Sequence, residues 1–482
     1  MTDIHRELEA DAELDAASGF MRIAADYLTA SRDRANHVSS AHDQAMLARR
    51  FDEPIPRRGM PIGKVLERLR DEVIPDSNWL HHPRAMGHQV APPLPALVWT
   101  ESVIAALNQS TAVFEMSPVG TTLERRVIRW MADLVGFGRA AAGTMTTGGT
   151  EATFTALLAA RAAALPDSWE NGVGANPPIL VCGEHAHYAA TRPAGELGLG
   201  LRSIVTVKSE GFQMSPRALR ETLAAAKHDD RKVLAVVATA GSTPTGTFDD
   251  LTRIADVCDE FGAWLHVDAA HGGSALLSER HRARLAGIAR ARSVAWDPHK
   301  MMLLPLQAGV LIMRDAADLD RAYAQKAPYL FHQRDEPDQG TRSFLCSHRA
   351  DSIKLWVALQ RYGVDGIGAL YDHLCAVTSA MSDAVKQHRH FESLHEPESN
   401  ILCFRWIGDR SLDDARLDAI NLEGRERYNR SGEGWVTTTV LRGRRVLRVT
   451  IMNPRTTADD AREVLEGLER ECAALGNNSP RG

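Results

Sequence analysis

Short apolar runs alternate with helical patterns through the middle of the chain. Six such runs lie at residues 179–182, 203–207, 233–239, 263–267, 293–296 and 309–313. Strands that helices cover on both faces read as continuous apolar runs, and their alternation with helices is typical of βαβ units. The pattern therefore predicts a mostly parallel, helix-covered sheet between about residue 140 and residue 315.

The segment that precedes this region has a helical pattern with one break. Residues 1–75 and 96–135 carry apolar positions at helical spacing. Four prolines between residues 83 and 95 predict an irregular loop, because proline fits neither a helix interior nor a central strand. The second helical stretch is expected to be interrupted near Pro118 and Gly120.

Beyond residue 345 the pattern changes again. Helical spacing at 353–362 is followed by strand-like runs at 401–406, 435–440 and 445–451 and by a helical pattern at 457–474. This order predicts a second, smaller α/β domain with an antiparallel sheet. We therefore expect an N-terminal helical segment at 1–90, a large domain at 91–345 and a small C-terminal domain at 346–482.

Length and charge limit the classes of protein and partner. The 482 residues exceed the size at which one hydrophobic core stops growing, about 250 to 300 residues, so more than one domain is expected. The net charge is −6 with no basic stripe, so nucleic acid is not an expected partner. No apolar stretch approaches the roughly 18 residues of a membrane helix, so no membrane partner is expected. The acidic start lacks the features of a secretory signal, which predicts a cytoplasmic protein.

Unusual polar residues follow several of the predicted strands. Asp268 comes directly after the run 263–267, and Lys300 closes the sequence Asp-Pro-His-Lys after the run 293–296. Working residues of open α/β sheets lie at the carboxyl ends of strands. Each residue has an ordinary alternative, since an aspartate often forms a turn or helix cap and a lysine usually lies on the surface.

Two further groups stand between predicted strands. Gly148 and Gly149 precede an apolar helix, and His185 and His187 follow another predicted strand. The glycines alone are more often a simple turn than a phosphate site. The histidines lack further ligands at a standard metal spacing, so no metal site is expected.

Taken together, these residues indicate one kind of chemistry. A glycine-rich turn that opens a helix offers backbone N–H groups to a phosphate. The amine of a lysine can bond covalently to an aldehyde, and an acid at a neighbouring strand end can pair with a pyridinium nitrogen. The combination predicts pyridoxal 5'-phosphate as the cofactor.

Five motifs resemble those of a known family. They are TTGGTEATF at 146–154, HAHY at 185–188, HVDAAHGG at 266–273, AWDPHKMM at 295–302 and LRVTIMNP at 447–454. They are similar to the group II pyridoxal-phosphate-dependent amino-acid decarboxylases, which include the glutamate, cysteine sulfinate and aromatic amino-acid decarboxylases. The likeness covers about residues 80 to 470, with the motifs in the order of the family.

This resemblance implies a fold, an activity and an assembly. The fold would be that of the α/β PLP-dependent transferases, the aspartate aminotransferase type (fold type I). The activity would convert an L-amino acid to its amine and carbon dioxide, as a carboxy-lyase. The protein would be a homodimer in which the N-terminal segment, residues 1–90, wraps the partner subunit.

The resemblance also implies roles for the residues around the cofactor ring. Lys300 would hold the cofactor covalently and then serve in proton transfer. Asp268 would stay ionised against the pyridine nitrogen, so that the ring can accept electrons. His187 would stack on one face of the ring and take part in proton transfer, and Ala270 would pack on the opposite face.

The remaining implied residues bind the phosphate and the substrate. Gly148, Gly149 and Thr150 would hold the phosphate together with His299. Thr243 would lie near the cofactor or the substrate carboxylate. Arg448 would grip the α-carboxylate of the substrate with its planar guanidinium. Outside the motif, Arg448 also fits a plain surface arginine on a strand.

Two departures from the family pattern leave alternatives open. The stretch 329–349 has no tyrosine after Tyr329, where relatives carry one that protonates the substrate carbon. Either Tyr329, His332 or a residue of the partner subunit supplies that proton, or the protein is an aldehyde-forming oxidative deaminase or another carbon–carbon lyase. The segments 82–89 and 114–124, which shape side-chain specificity in relatives, do not identify the substrate: Gly120 departs from the bulkier residue of the glutamate-type enzymes.

Overall fold

The computed structural model describes residues 3–39, 43–323, 327, 331, 338–408 and 412–477. The chain divides into two compact units. The central unit comprises Gln89–Thr378 and Glu396–Ile401, and the terminal unit comprises Met1–His88, Ser379–His395 and Leu402–Gly482. The expected domain boundaries at residues 90 and 345 stay a prediction.

The helices are α1 (Asp3–Asp11), α2 (Leu14–Ala30), α3 (Gln44–Arg50), α4 (Ile62–Arg68), α5 (Pro95–Leu107), α6 (Pro118–Val135), α7 (Gly149–Ala164), α8 (Ser168–Asn171), α9 (Tyr188–Glu196), α10 (Pro216–His228), α11 (Leu251–Phe261), α12 (Ala316–Asp320), α13 (Ser352–Gln387), α14 (Asp414–Ser431) and α15 (Ala458–Asn477). The strands are β1 (Ala142–Thr146), β2 (Ile179–Gly183), β3 (Ile204–Val207), β4 (Ser209–Glu210), β5 (Gln213–Met214), β6 (Val233–Thr239), β7 (Leu265–Asp268), β8 (Ser293–Trp296), β9 (Gly309–Met313), β10 (Phe391–Ser393), β11 (Ile401–Trp406), β12 (Thr437–Leu441) and β13 (Arg444–Thr450).

The central unit is built on a seven-stranded sheet with the order β1-β9-β8-β7-β6-β2-β3. The pairs from β8 to β3 are all parallel, whereas β9 is antiparallel to both of its neighbours. The predicted mostly parallel sheet is confirmed. Strand β1, with the sequence AGTMT, has no apolar run. Close packing against β9 accounts for its glycine, since a Cβ on Gly143 would lie 2.2 Å from the carbonyl oxygen of Leu311.

Helix α7 forms much of the core against this sheet. Its buried face is mostly alanine and leucine, and Ala156 and Leu157 are fully buried together with Leu180, Val237 and Leu311 of the strands. Small side chains let the helix lie close to the sheet. The first turn of α7, at Gly149, is part of the candidate site.

The terminal unit contains a four-stranded sheet of order β10-β11-β13-β12, in which β10/β11 and β12/β13 pair antiparallel. The predicted strands and the final helix are confirmed. The sequence pattern missed α14, because two of its buried positions, Asn421 and Gly424, are not apolar. Among the described residues, no helix combines the length and the apolar character that crossing a membrane requires.

Candidate active site

Lys300 lies in a tight turn directly after β8. The backbone N–H of Lys300 donates to the carbonyl of Asp297 (3.0 Å), and Leu303 N–H donates to the carbonyl of Lys300 (3.1 Å). The amine of Lys300 is 3.2 Å from Asp297 Oδ2, and its side chain is 20% exposed. A lysine that is ion-paired yet still partly open can exchange its proton and react.

Asp268 ends β7 beside β8. It stands next to Ala295 in the parallel ladder, and its Oδ1 accepts the N–H of Ala270 at 3.1 Å. Burial raises the pKa of Asp268, and the charge of Lys300 and the N–H of Ala270 oppose this rise. A cation placed against this buried carboxylate would be strongly favoured, because the carboxylate has lost most of its water.

His187 begins helix α9 and is close enough to Asp268 and Lys300 to feel their charges. Its Nδ1 accepts the N–H of Ala189 at 3.2 Å, and its ring lies 4.0 Å from that of Tyr188, centroid to centroid. Burial lowers the pKa of His187, and the negative charge of Asp268 works against that lowering. A neutral, half-buried imidazole offers a flat face for stacking and a site for proton transfer.

The first turn of α7 meets the ends of β7 and β8 at a glycine pair. Gly148 occupies the N-cap position of α7 and has no side chain that could accept the first N–H groups of the helix. A Cβ on Gly149 would lie 2.7 Å from the Cβ of Ala270 and 3.2 Å from Asp297 Oδ2, and one on Gly148 would lie 3.3 Å from the ring of His299. The uncapped N–H groups and the positive end of the helix dipole suit an anion.

His299 is fixed by the backbone that starts β9. Its Nδ1 accepts the N–H of Ala308 at 3.1 Å, and its own N–H donates to the carbonyl of Ala308. The other ring nitrogen, Nε2, is 3.5 Å from Asp297 Oδ2. Burial lowers the pKa of His299, while Asp297 acts in the opposite direction.

Three further site residues that the resemblance implies are Thr150, Thr243 and Arg448. Thr150 is the second residue of α7, next to Gly149. Thr243 is half-buried in the turn after β6, where Gly241 packs against Gly272. Arg448 belongs to the terminal unit.

Arg448 is buried on β13, with 6% of its surface exposed. Its Nη1 lies 3.4 Å from the carbonyl of Gly87, in the segment 82–89 that the sequence associates with specificity. Burial lowers the pKa of Arg448. The ring of His88, the residue after Gly87, lies 5.1 Å from the ring of Trp435, centroid to centroid. Within the terminal unit, the implied carboxylate-binding arginine therefore lies next to Gly87.

The other segment associated with specificity is tightly packed at Gly120. This residue lies in the first turn of α6, and a Cβ there would be 3.2 Å from both the Cβ of Ala350 and Cγ2 of Thr111. A side chain at this position would have to displace Ser117, Thr111 or Ala350, which lies just before α13. Tyr329 and His332, the candidate proton donors of the sequence, lie outside the described residues.

Asp297 is a site residue that the sequence reasoning did not assign. It contacts Lys300 and His299 as above, and its Oδ1 is buried without a hydrogen-bond partner in the described part of the chain. Its position directly after β8, at the same sheet edge as Asp268, was the signal available. Deep burial of a charge that touches two implied site residues marks Asp297 as part of the site.

The absence of a metal site remains a prediction. His185 packs on Phe212, with ring centroids 5.3 Å apart, while His187 caps α9. Within the described ranges, one group of possible ligands lies close together: His388, His390 and Glu469 of the terminal unit. Nδ1 of His390 lies 2.5 Å from Oε1 of Glu469, and Trp406 donates to the other oxygen of the same carboxylate, so Glu469 already has two partners within the protein.

The cluster in the central unit fits pyridoxal phosphate. A reactive amine, a buried carboxylate and an uncapped helix start occur around one sheet edge, which matches an aldehyde, a pyridine nitrogen and a phosphate. The unpartnered Oδ1 of Asp297 and the space kept by Gly149 point to a polar ligand in contact with these residues.

Comparisons with known proteins agree with this reading. Residues 45–407 match the family described as "Pyridoxal-dependent decarboxylase conserved domain". The L-2,4-diaminobutyrate decarboxylase of Rhizobium meliloti is 34% identical over 435 residues, 89% of this chain and 86% of that protein. The cysteine sulfinic acid decarboxylase of Rattus norvegicus is 36% identical over 369 residues, 75% of this chain and 74% of that protein.

Solved structures give the same result. The crystal structure of mouse CSAD has a TM-score of 0.90 and 30% identity, and the match covers 95% of this chain and 98% of that one. The predicted fold class, the aspartate aminotransferase type (fold type I), is confirmed. Since the family match covers most of the sequence and the central unit carries residues that fit the cofactor, the chain belongs to the pyridoxal-phosphate-dependent amino-acid decarboxylases and is a carboxy-lyase.

Proposed function

We propose that this enzyme decarboxylates an L-amino acid with a short polar side chain, as a cytoplasmic homodimer. The observation that carries the chemistry is the cluster at the sheet edge, where the charges of Asp268, Lys300 and His187 act on one another. In the reaction the bond from Cα to the carboxylate breaks, carbon dioxide leaves, and Cα gains a proton.

The ring end of the cofactor would be held by the residues of β7, β8 and α9. When bound, pyridoxal phosphate supplies an electron sink for the pair that remains after carbon dioxide leaves. Asp268 would keep a proton on the pyridine nitrogen, since its buried carboxylate gains most from a facing cation. Lys300 would provide the amine for covalent attachment, while His187 and Ala270 would bracket the ring.

The phosphate end would lie at the start of α7. Gly148, Gly149 and Thr150 offer backbone N–H groups, and His299 adds a ring nitrogen. Asp297 holds the amine of Lys300 and the ring of His299 in fixed positions. Thr243 completes this side of the site as a neighbour of the cofactor or of the substrate carboxylate.

Arg448 would bind the α-carboxylate of the substrate. Its burial supports this role, because a desolvated guanidinium is a strong partner for a carboxylate. Gripping the carboxylate from two nitrogens would orient the bond that breaks relative to the ring.

The substrate class is proposed from relatives that are more than 30% identical to this chain. The proteins at 34% and 36% identity are named for L-2,4-diaminobutyrate and cysteine sulfinate, both short and polar. The matching structures of Oryza sativa TDC and Catharanthus roseus tryptophan decarboxylase are 23% and 24% identical, and likeness at this level supports the fold alone. A short polar substrate is therefore favoured over an aromatic one.

The homodimer is supported by apolar side chains on the N-terminal helical segment. Phe20, Met21, Ile55 and Met60 are exposed by 44%, 50%, 88% and 43%. Exposed apolar groups of this size are typical of a subunit interface. We propose that the partner subunit covers them, as the resemblance to the family implies.

The first test is a panel of amino acids with mass detection of the products. We expect an amine and carbon dioxide from L-2,4-diaminobutyrate or cysteine sulfinate, and slower or no turnover of tryptophan and tyrosine. An aldehyde with ammonia and peroxide would instead support the oxidative route left open by the tyrosine-poor stretch. Turnover of the aromatic substrates alone would contradict the proposed substrate class.

The second test replaces the reactive lysine. Lys300→Ala should abolish turnover and the cofactor link that borohydride makes permanent, because no other amine is proposed to attach the aldehyde. Lys227→Ala, at an exposed position of α10, is the matched control and should behave as the wild type. A borohydride-stable link that persists in Lys300→Ala would show that another lysine is used.

A further inference from the structure

Lys354 is a fully buried lysine near the start of α13. Its side chain is 0% exposed, although lysine is almost never buried without partners. Its Nζ lies 3.0 Å from Glu101 Oε1 and 3.0 Å from Asp351 Oδ1. A buried amine held between two carboxylates is costly to build, because the amine has lost all of its water and the carboxylates most of theirs.

The ion pairs around Lys354 join two separate segments of the central unit. Glu101 lies in the middle of α5, and it also contacts the guanidinium of Arg349, just before α13. A backbone hydrogen bond also joins the chain after α5 to the chain before α13: the N–H of Thr111 donates to the carbonyl of His348 at 2.7 Å. Lys354 therefore ties α5 to the start of α13.

The other end of α5 contacts the turn that carries Lys300. The backbone N–H of Leu94, the residue before the helix, donates to the carbonyl of Leu303 at 3.0 Å. Leu303 has a φ of 59°, in the left-handed region that a leucine rarely adopts. Such a conformation persists only where the surroundings hold it, and the hydrogen bond from Leu94 is one such restraint.

A second observation connects Lys354 with the same turn. The positive charge of Lys354 is among the charges that act on His299, the residue next to Lys300. The buried amine is thus electrostatically close to the proposed phosphate end of the site. Two kinds of interaction therefore connect Lys354 with the turn 297–304: the ion pairs and hydrogen bond through α5, and the effect of its charge on His299.

We propose that Lys354 is a positioning residue for the cofactor site: it fixes α5 through Glu101, and α5 holds the Lys300 turn through the bond from Leu94 to Leu303. The role rests on the proposed function, because it assumes that Lys300 and His299 bind the cofactor. Lys354 touches neither substrate nor cofactor in this arrangement. Its removal should loosen the turn and weaken cofactor binding.

The test measures cofactor affinity separately from stability. Apoprotein is titrated with pyridoxal phosphate for the apparent Kd, and its thermal midpoint is recorded without cofactor. Lys354→Met should raise the Kd about tenfold, the size of effect expected where a residue acts on a site through packed and hydrogen-bonded neighbours. The control is Arg405→Met, which removes a buried arginine paired with Asp414 and Asp418 in the terminal unit. It should lower the midpoint and leave the Kd unchanged.

A second pair of variants tests the link through α5 without touching a charge. Leu94→Pro removes the N–H at a φ of −60°, which proline adopts, whereas Leu94→Ala keeps the N–H and removes the side chain. We expect weaker cofactor binding in Leu94→Pro than in Leu94→Ala. Combined with Lys354→Met, Leu94→Pro should add little further loss, because both act on one path.

The outcomes separate this proposal from the proposed function. If the wild type forms no borohydride-reducible link with pyridoxal phosphate, the proposed function fails. If it does, and Lys354→Met binds as tightly as Arg405→Met, the positioning role is overturned. Equal binding by Leu94→Pro and Leu94→Ala, or fully multiplicative losses in the double variant, would overturn the path through α5. This second comparison stands even where Lys354→Met does not fold.

Discussion

A methyl group added at Gly149 tests the proposed phosphate cradle. The new Cβ in Gly149→Ala would lie 2.7 Å from the Cβ of Ala270 and 3.2 Å from Asp297 Oδ2. Carbon atoms pack best at about 3.5 to 4.0 Å, so the first contact overlaps by about 1 Å. Ala270 has no rotamer to change, and its backbone is held by Asp268 Oδ1 and by the N–H of Asp297. The start of α7 must therefore shift.

The size of the effect follows from the cost of overpacking. Extra methyl groups in a packed site cost about 1 to 3 kcal/mol, which corresponds to roughly 5- to 150-fold in a binding constant. We expect this loss in cofactor affinity, because the shift moves the N–H groups of Gly149 and Thr150 away from the phosphate. Binding of inorganic phosphate as a competitor should weaken in parallel.

The assay is a titration of apoprotein with pyridoxal phosphate, followed by absorbance. Gly138→Ala is the matched control, since no atom lies within 4 Å of its added Cβ. It lies in the same unit and should bind the cofactor as the wild type does. If Gly149→Ala binds as tightly as Gly138→Ala, the phosphate does not contact the start of α7, and the assignment of the cradle is refuted.

Two further predictions concern buried ionisable groups. Asp268→Asn should lower kcat by about 100-fold or more, because the cofactor ring loses its anionic partner. The thermal midpoint of the apoprotein should not fall, since burial disfavours the charge that is removed. A wild-type kcat in this variant would contradict the role of Asp268. Burial lowers the pKa of His266 to about 3, so between pH 6.5 and pH 3 the unfolded chain binds a proton that the folded chain does not. Lowering the pH from 7 to 5 should therefore reduce the contribution of His266 to the free energy of unfolding by about 2 kcal/mol. Urea unfolding should show this loss in the wild type and not in His266→Phe. Equal losses in both proteins would contradict the lowered pKa of His266.

Much of the architecture could be predicted because strands and helices leave periodic patterns in the sequence. The buried strands of the central sheet are continuous apolar runs, so their positions were predicted to within about two residues. Strand β1 and helix α14 were missed, since contacts made by Gly143, Asn421 and Gly424 decide their burial. Those contacts involve residues that are far apart in sequence, and no local pattern reports them.

The sequence by itself predicted that Asp268 and Lys300 each follow a buried strand, and therefore lie at the edge of the sheet where working residues occur. Only the tertiary structure decided what surrounds them. Asp297 became a partner of Lys300 through the tight turn after β8, and Lys354 was linked to that turn through α5. A buried charge is defined by the groups around it, and folding brings those groups together from separate segments of the chain.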